Sequence, residues 1–322
     1  MQHDERLKEY IESSFLAPLL QRKGVTDISY NGEGLFLVDN RFGRQKSELE
    51  VTPSEVGDFL RQIANYAEKQ FSYLDPVLDV SFAQYRLNAT FLSITRVDNK
   101  KTYSFSLRIA SKDSILEKDS SFFPGNSKKI LLEAIEDRKS VVIGGETGCG
   151  KTELQKFLLS HMRPATRVIV IDNVEELELS RGDGTLDLTT WLVDPKNPQS
   201  SFPFLIRNAL RNNPDYLLVA ESRGEEMLDA LNVVMSGHPL ITTLHAKDME
   251  AMPYRMTRMA MMSGKKLEFN DLLDDIYHHF SYMVYLDKST TKWGVKRRIK
   301  QIGLLNEDRR TIDIIFDAGD AS

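Results

Sequence analysis

The sequence predicts an α/β protein with a mostly parallel sheet and antiparallel edge strands, preceded by a smaller α+β domain. Three observations predict this fold. A glycine-rich stretch follows an apolar run at residues 141–143 and precedes a helix-compatible segment at residues 154–159. Further apolar runs alternate with helix-compatible segments toward the C-terminus, which is typical of parallel sheets. The first third of the chain instead mixes helical periodicity with hairpin signals.

The N-terminal domain is assigned to residues 1–110. Residues 7–21 have the apolar spacing of one helix, and Asn-Gly at residues 31–32, between two alternating runs, indicates a hairpin. Thr-Pro-Ser-Glu at residues 52–55 is typical of a capped helix start. Three strand-like segments complete the domain, at residues 77–80, 85–91 and 103–109.

A polar stretch at residues 111–125, rich in Ser and containing Pro and Gly, is assigned to a linker, and residues 126–322 to the second domain. The apolar runs of that domain predict parallel strands at residues 141–143, 167–171, 216–220 and 239–244. The tail predicts antiparallel edge strands at residues 280–286, 295–302 and 311–316.

The glycine-rich stretch has the spacing of a phosphate-binding P-loop. Its glycines let successive backbone N–H groups and the following helix N-terminus point toward one anion. In this pattern Lys151 reaches the β- and γ-phosphates of a nucleoside triphosphate, and Thr152 contacts Mg²⁺. The predicted nucleotide-binding residues are Gly145, Glu146, Thr147, Gly148, Cys149, Gly150, Lys151 and Thr152.

Polar residues close the predicted strands, and open α/β sheets bind ligands at the carboxyl ends of their strands. Asp172, Asn173 and Glu176 follow the second of the predicted parallel strands, at residues 167–171. Glu221 closes the third strand in the form of a Walker B acid, and His245 closes the fourth, where an imidazole can hydrogen-bond the γ-phosphate.

These residues carry a family resemblance that extends over about residues 126–316. Residues 171–177, 213–223 and 237–246 resemble the Asp box, the Walker B motif and the His box of the type II/type IV secretion ATPases. The resemblance implies a RecA-like core after a PAS-like N-terminal domain, and a hexameric Mg²⁺-dependent ATPase. The cofactors that the resemblance implies are ATP and Mg²⁺.

The resemblance also implies roles for individual residues. Glu176 matches the general base that acts on the attacking water, Glu221 supports Mg²⁺ together with Thr152, and His245 senses the γ-phosphate. Four arginines match positions around the nucleotide: Arg207 and Arg211 between subunits, and Arg86 and Arg108 on the first domain, approaching the phosphates when the domains close.

One departure from the family concerns the residues after the second strand. The family usually has Glu then Asp where this chain has Asp172 then Asn173. The chain also lacks the four-cysteine zinc module of the secretion-type members. The sequence therefore looks closer to the compact branch that serves conjugative transfer and tight-adherence-type pili.

Composition bears on location and partners. The net charge of -5 and the pI near 5.8 argue against stable binding of nucleic acid. The charged start is not typical of a signal peptide, and no apolar run approaches the ~18 residues of a membrane span. The expectation is a cytoplasmic homo-hexamer, peripheral at the inner face of the membrane, with membrane platform or secretion-channel proteins as partners.

Two further features have open interpretations. Cys149, the one cysteine, is expected to be a small residue that the P-loop tolerates; the alternative is a thiol of lowered pKa that can be oxidised. The basic run at residues 296–298 is expected to be a solvated edge, with contact to anionic lipid or a membrane protein as the alternative.

The expected function is an ATPase motor that couples hydrolysis to secretion, conjugative transfer or the assembly of type IV pilus-type filaments. Two alternatives stay open. A hexameric nucleic-acid translocase or helicase predicts turnover stimulated by DNA, and an ATP-gated scaffold predicts binding with little hydrolysis.

Overall fold

The computed structural model describes residues 2–39, 42–110, 114–174, 177, 184–194, 197–291 and 294–319. The chain divides into two compact units. The N-terminal unit comprises Met1–Ser111 and Thr290–Lys296, and the C-terminal unit comprises Lys112–Ser289 and Arg297–Ser322.

The N-terminal unit is an antiparallel sheet covered by helices. Its six-stranded sheet has the order β3-β2-β1-β8-β5-β4, and β6 and β7 form a separate two-stranded ribbon. In chain order the elements are α1 Gln2–Ser13, α2 Ala17–Leu20, β1 Val25–Tyr30, β2 Leu35–Asp39, β3 Gly43–Lys46, α3 Pro53–Tyr66, β4 Val77–Phe82, β5 Tyr85–Thr90, β6 Arg96–Val97, β7 Lys100–Lys101 and β8 Ser104–Ile109.

The hairpin and the capped helix start that the sequence predicts in this unit are confirmed, whereas the prediction for the first helix is not. The hairpin at Asn31 joins β1 to β2, and the capping box forms, because Glu55 N donates to Thr52 Oγ1 while Thr52 N donates to Glu55 Oε2. The prediction of one helix over residues 7–21 is wrong, since the structure has two helices there. Pro18 lies in the first turn of α2. It has no N–H to continue α1, and its ring would clash with the preceding turn.

The C-terminal unit is built on an eight-stranded sheet with the order β11-β10-β12-β13-β9-β14-β15-β16. The elements are α4 Ser127–Glu136, β9 Val141–Gly145, α5 Lys151–Ser160, β10 Arg167–Asp172, β11 Asp187–Leu192, α6 Phe202–Ala209, β12 Tyr216–Val219, α7 Glu226–Met235, β13 Leu240–His245, α8 Ala251–Met261, α9 Phe269–His279, β14 Tyr282–Thr291, β15 Gly294–Asn306 and β16 Thr311–Asp317.

Both faces of this sheet are covered, as its continuous apolar strands predict. Val142 packs into one hydrophobic cluster, while its neighbours Val141 and Ile143 pack into a second cluster on the opposite face. Pairing from β11 through β10, β12, β13 and β9 is parallel throughout. The carboxyl ends of these strands therefore lie along one edge, and the predicted fold class is confirmed.

The direction of the first tail strand corrects the sequence prediction. β14 pairs in parallel with β9, with Tyr282 opposite Val141 and Leu286 opposite Gly145, whereas an antiparallel strand was expected. Helices α8 and α9 supply the crossover that a parallel neighbour requires. β15 and β16 are antiparallel, as expected.

Part of the stretch assigned to a linker packs into the C-terminal unit. Two 3₁₀ turns span Ile115–Lys118 and Ser120–Phe122, and Leu116, Phe122 and Phe123 are buried in the cluster beneath α4 and α5. Among the described residues, no helix combines the length and apolar character that crossing a membrane requires.

Candidate active site

The loop between β9 and α5 has backbone geometry that requires glycine. Gly145 has a φ of 150°, and a Cβ atom there would lie 2.7 Å from the Cys149 sulfur and 2.8 Å from the carbonyl oxygen of Leu286. Gly150, in the left-handed conformation, is the N-cap of α5. Strand, loop and helix therefore follow one another as a phosphate-binding loop requires.

Lys151 is the first residue of α5, and its side chain turns back into the loop. Its Nζ donates to the carbonyl oxygens of Gly145 at 3.0 Å and Glu146 at 2.9 Å. The residue is only 8% exposed, and this burial lowers the pKa of its ammonium group. A phosphate bound by the N–H groups of the loop would meet the lysine charge there.

A chain of polar contacts extends from Lys151 across the ends of β13 and β12. Lys151 Nζ lies 3.3 Å from His245 Nδ1, and His245 Nε2 lies 3.0 Å from Glu221 Oε1. An ammonium group can only donate, so Nδ1 is the acceptor and the imidazole carries its proton on Nε2. The structure thus brings three predicted site residues together.

The charges in this network are set by burial and by neighbouring cations. Burial, reinforced by the charge of Lys151, lowers the pKa of His245 below 6.5, so the ring is neutral at pH 7. Burial acts to raise the pKa of Glu221, but the hydrogen bond and charge of Arg223, helped by His245 and Lys151, hold it below its ordinary value. Glu221 is therefore an ionised carboxylate.

Arg223 belongs to the site, although the sequence pattern at residues 213–223 does not predict a role for it. Its Nη2 donates to Glu221 Oε2 at 2.6 Å. Its own backbone N–H and that of Gly224 donate to the carboxylate of Glu226, which is buried in the first turn of α7. The signal in the sequence was an arginine two residues after the Walker B acid, followed by an acidic helix start.

Comparisons with known proteins identify relatives of this chain. The model of the family described as "Type II/IV secretion system protein" matches residues 97–277, more than half of the chain. The chain belongs to this family. An uncharacterized protein of Bacillus anthracis is 28% identical over 296 residues, covering 89% of this chain and 65% of that protein. The type IV secretion system protein VirB11 of Brucella suis is 28% identical over 195 residues, covering 59% of this chain and 54% of VirB11.

The fold is shared with solved structures as well. The ATPase DotB of Legionella pneumophila superposes with a TM-score of 0.64 at 20% identity, covering 95% of this chain and 81% of DotB. This chain spans less than two thirds of the length of the two curated relatives above. The predicted family is confirmed.

Asp172 uses its carboxylate to accept hydrogen bonds from neighbouring backbone N–H groups. The residue is fully buried at the end of β10. Its Oδ1 accepts from the N–H groups of Asn173 at 2.7 Å and Val174 at 3.2 Å, and its Oδ2 from that of Leu177 at 3.3 Å. The side chain therefore holds the backbone of Asn173, Val174 and Leu177. Glu176 itself lies outside the described residues.

The residues that would hold Mg²⁺ fit that ion. Thr152 lies in the first turn of α5, partly exposed. Glu221 Oε1 is buried and accepts no hydrogen bond from the described residues, although His245 Nε2 is 3.0 Å away. No cluster of three or more His, Cys, Asp or Glu side chains suited to a metal occurs in the described part of the chain. Mg²⁺ is usually held by one or two carboxylates together with phosphates and waters, which agrees with this donor set.

Each of the four predicted arginines is described within its own compact unit. Arg207 of α6 is 59% exposed and pairs with Asp229 at 3.0 Å, and Arg211, in the turn after α6, is exposed. Arg86 and Arg108, in the N-terminal unit, stand directly opposite each other on β5 and β8. Two like charges in that register are unfavourable unless compensated. Here Asp79 lies 3.6 Å from Arg86, and Asp27 lies 3.4 Å from Arg108.

Cys149 is fully buried within the P-loop. Burial raises the pKa of its thiol, and the nearby charge of Lys151 only partly opposes this. The alternative of a thiol with lowered pKa is therefore wrong. The expectation of a small residue fitted into the loop agrees with its contact beside Gly145.

Proposed function

We propose that this chain is an ATPase that powers a type II/IV secretion machine or the assembly of a type IV pilus-type filament. The observation that carries the proposal is the continuous contact from Lys151 through His245 to Glu221 and Arg223, beside a P-loop. A phosphate cradle with its lysine and a carboxylate that can support a metal ion recur in sites that hydrolyse nucleoside triphosphates, and here they lie at adjacent strand ends.

In this proposal ATP binds with its phosphates on the loop N–H groups and on Lys151. The ammonium exchanges its neutral carbonyl partners, Gly145 and Glu146, for phosphate oxygens, which is favourable because both partners of the new hydrogen bonds are charged. His245, neutral and protonated on Nε2, is placed to hydrogen-bond the γ-phosphate after a rotation away from Glu221.

Thr152 and Glu221 are the residues that would hold Mg²⁺. When bound, this ion supplies neutralisation of phosphate charge. The role of Glu221 is then to keep a negative oxygen at the strand end, and Arg223 keeps that oxygen ionised. Glu176 is proposed as the base that accepts a proton from the attacking water, because the family resemblance assigns that position.

The arginines complete the proposed motor. Arg86 and Arg108 would approach the phosphates from the N-terminal domain, residues 1–110, and Arg207 and Arg211 from a neighbouring subunit of a homo-hexamer. Residues 111–125 would be the linker and residues 126–322 the ATPase domain. An arginine finger accelerates hydrolysis by about 10³ to 10⁵, which would couple turnover to closure of the domains.

The proposed place of work is the cytoplasmic face of a membrane. Relatives such as VirB11 are named as type IV secretion system proteins, which supports partners among channel or platform proteins. Stable nucleic-acid binding is not expected, given the net charge of -5.

The test is release of phosphate from ATP by the purified chain, with Mg²⁺ and with EDTA, and with and without DNA. We expect Mg²⁺-dependent release, loss of turnover in Glu176→Gln, no stimulation by DNA, and hexamers by mass photometry. Binding of ATP without phosphate release would favour the gated scaffold, and strong stimulation by DNA would favour a translocase.

A further inference from the structure

The strands β14 and β15 bring two cations against the P-loop. Pairing of β14 with β9 ends at Leu286 opposite Gly145, so the next residues of β14 lie beside the loop itself. Lys288 Nζ donates to the carbonyl oxygen of Thr147 at 2.8 Å. Arg297 Nε, from β15, donates to the carbonyl oxygen of Gly148 at 2.7 Å.

The two carbonyl groups belong to the turn that forms the middle of the loop. Cys149 N donates to Glu146 O at 3.4 Å, which closes a four-residue turn. Gly148, its third residue, has a φ of 74°, while Thr147 has a negative φ. This combination is a type II turn.

The central peptide of such a turn has two accessible orientations. Types I and II differ by a flip of the peptide between the second and third residues, and glycine at the third position adopts either. In a trans peptide the C=O and N–H groups point in opposite directions. Holding Thr147 O toward Lys288 therefore fixes the Gly148 N–H on the opposite side, and Arg297 fixes the next peptide in the same way.

The side chain of Arg297 also fits the end of the loop. Its Cδ lies 4.0 Å from the position that a Cβ atom on Gly150 would occupy. The arginine therefore runs along the loop from Gly150 to Gly148. The basic run at residues 296–298, expected to be a solvated edge, thus includes a residue bound to the P-loop.

We propose that Lys288 and Arg297 are positioning residues of the nucleotide site, which hold the P-loop with its N–H groups oriented for phosphate. The proposal rests on the proposed function only in naming a nucleotide phosphate as the ligand. The two side chains act through the peptide groups of the loop and add positive charge beside the phosphates.

The test compares Lys288→Met and Arg297→Met with the wild-type protein and with Lys296→Met, which removes an exposed cation from the same strand as Arg297. Calorimetry with Mg²⁺-ADP measures affinity. Hydrogen–deuterium exchange of the peptide covering residues 144–152, without nucleotide, measures the order of the loop. We expect affinity about 10-fold weaker in each of the first two variants, faster exchange of the loop, and no change in Lys296→Met.

Conservative variants separate positioning from simple stabilisation. Lys288→Arg and Arg297→Lys keep a charged donor, so we expect each to recover most of the affinity. If the protein hydrolyses ATP, the KM of Lys288→Met and of Arg297→Met should rise while their kcat stays within about twofold of the wild type. The reason is that an ordered loop contributes equally to binding of the ground state and of the transition state.

The proposal is overturned if both Met variants bind ADP within about twofold of the wild type while only their melting temperatures fall, since the contacts would then stabilise the fold alone. Unchanged loop exchange in both variants would also overturn it. A wild-type protein that binds ADP but releases no phosphate from ATP would contradict the proposed function, and leaves the ADP and exchange results to decide this inference.

Discussion

Two strand ends of the same sheet carry buried carboxylates with different uses. Asp172, after β10, has both oxygens occupied by backbone N–H donors of the segment that follows. Glu221, after β12, pairs with Arg223 through one oxygen. Its other oxygen lies 3.0 Å from His245 Nε2 but accepts no hydrogen bond of good geometry from the described residues. A carboxylate whose lone pairs are used by the backbone holds structure, whereas one with an unused oxygen is available to a ligand. Position at a strand end therefore does not by itself make a residue catalytic.

The largest expected effect is the difference in phosphate release between variants of two lysines of α5, Lys151 and Lys156. Lys151→Met should lower phosphate release about 10³-fold or more, because it removes the cation inside the loop. Lys156 is also buried, but pairs with Glu153 at 3.0 Å on its own helix. Lys156→Met should keep nucleotide affinity and change only the free energy of unfolding. Equal loss of nucleotide binding in both variants would remove the distinction.

The structural use of Asp172 is tested by stability. Asp172→Asn replaces one acceptor oxygen with an amide group that faces backbone donors, so the free energy of unfolding should fall by about 1–3 kcal/mol. Urea unfolding measures this free energy. The control is Asp187→Asn, which removes a half-exposed ion pair with Arg167 and should lower the free energy of unfolding by about 1 kcal/mol or less. Unchanged stability in Asp172→Asn would mean that the backbone contacts contribute nothing.

Arg223 is expected to set the pH range over which Glu221 is ionised. The folded protein lowers the pKa of Glu221, so its ionised form persists as pH falls below the ordinary value of 4.5. In Arg223→Met the pKa should rise, and the acid limb of kcat/KM should move to higher pH. A pH–rate profile from about pH 3.5 to about pH 8 measures this shift, and an unmoved limb would show that Arg223 does not tune the carboxylate.

The smallest effect concerns His245. Its pKa is lowered in the folded state, so the unfolded chain takes up the proton first as pH falls below 6.5. This stability contribution is complete above that pH and is lost below it. The loss should stay under about 1 kcal/mol because the ring is 40% exposed. His245→Gln should reduce the change in melting temperature between about pH 7.5 and about pH 5.5, and an identical change would contradict this reading.

The parts of the fold that the sequence predicts are those fixed by short-range pattern. Apolar runs identify β9, β10, β12 and β13, because strands buried on both faces need continuous apolar side chains. The direction of β14 depends on which neighbour it meets, which periodicity does not encode. Pro18 breaks the first helix, although the apolar spacing continues through it.

The candidate site divides in the same way. The P-loop, Glu221 and His245 can be predicted, because a motif and the strand ends locate them. The roles of Lys288 and Arg297 cannot be predicted in this way, because both residues lie more than a hundred positions after the loop that they contact. Such contacts follow from the pairing of β14 with β9, which only the folded chain shows.

The rate of phosphate release by Glu221→Gln is the most direct test that the ends of β12 and β13 form the catalytic centre. Glutamine keeps the shape of the side chain but removes its charge. We expect ATP hydrolysis to fall about 100-fold or more, with a urea midpoint near that of the wild type. Hydrolysis at the wild-type rate by a folded Glu221→Gln protein would contradict the assignment of this site.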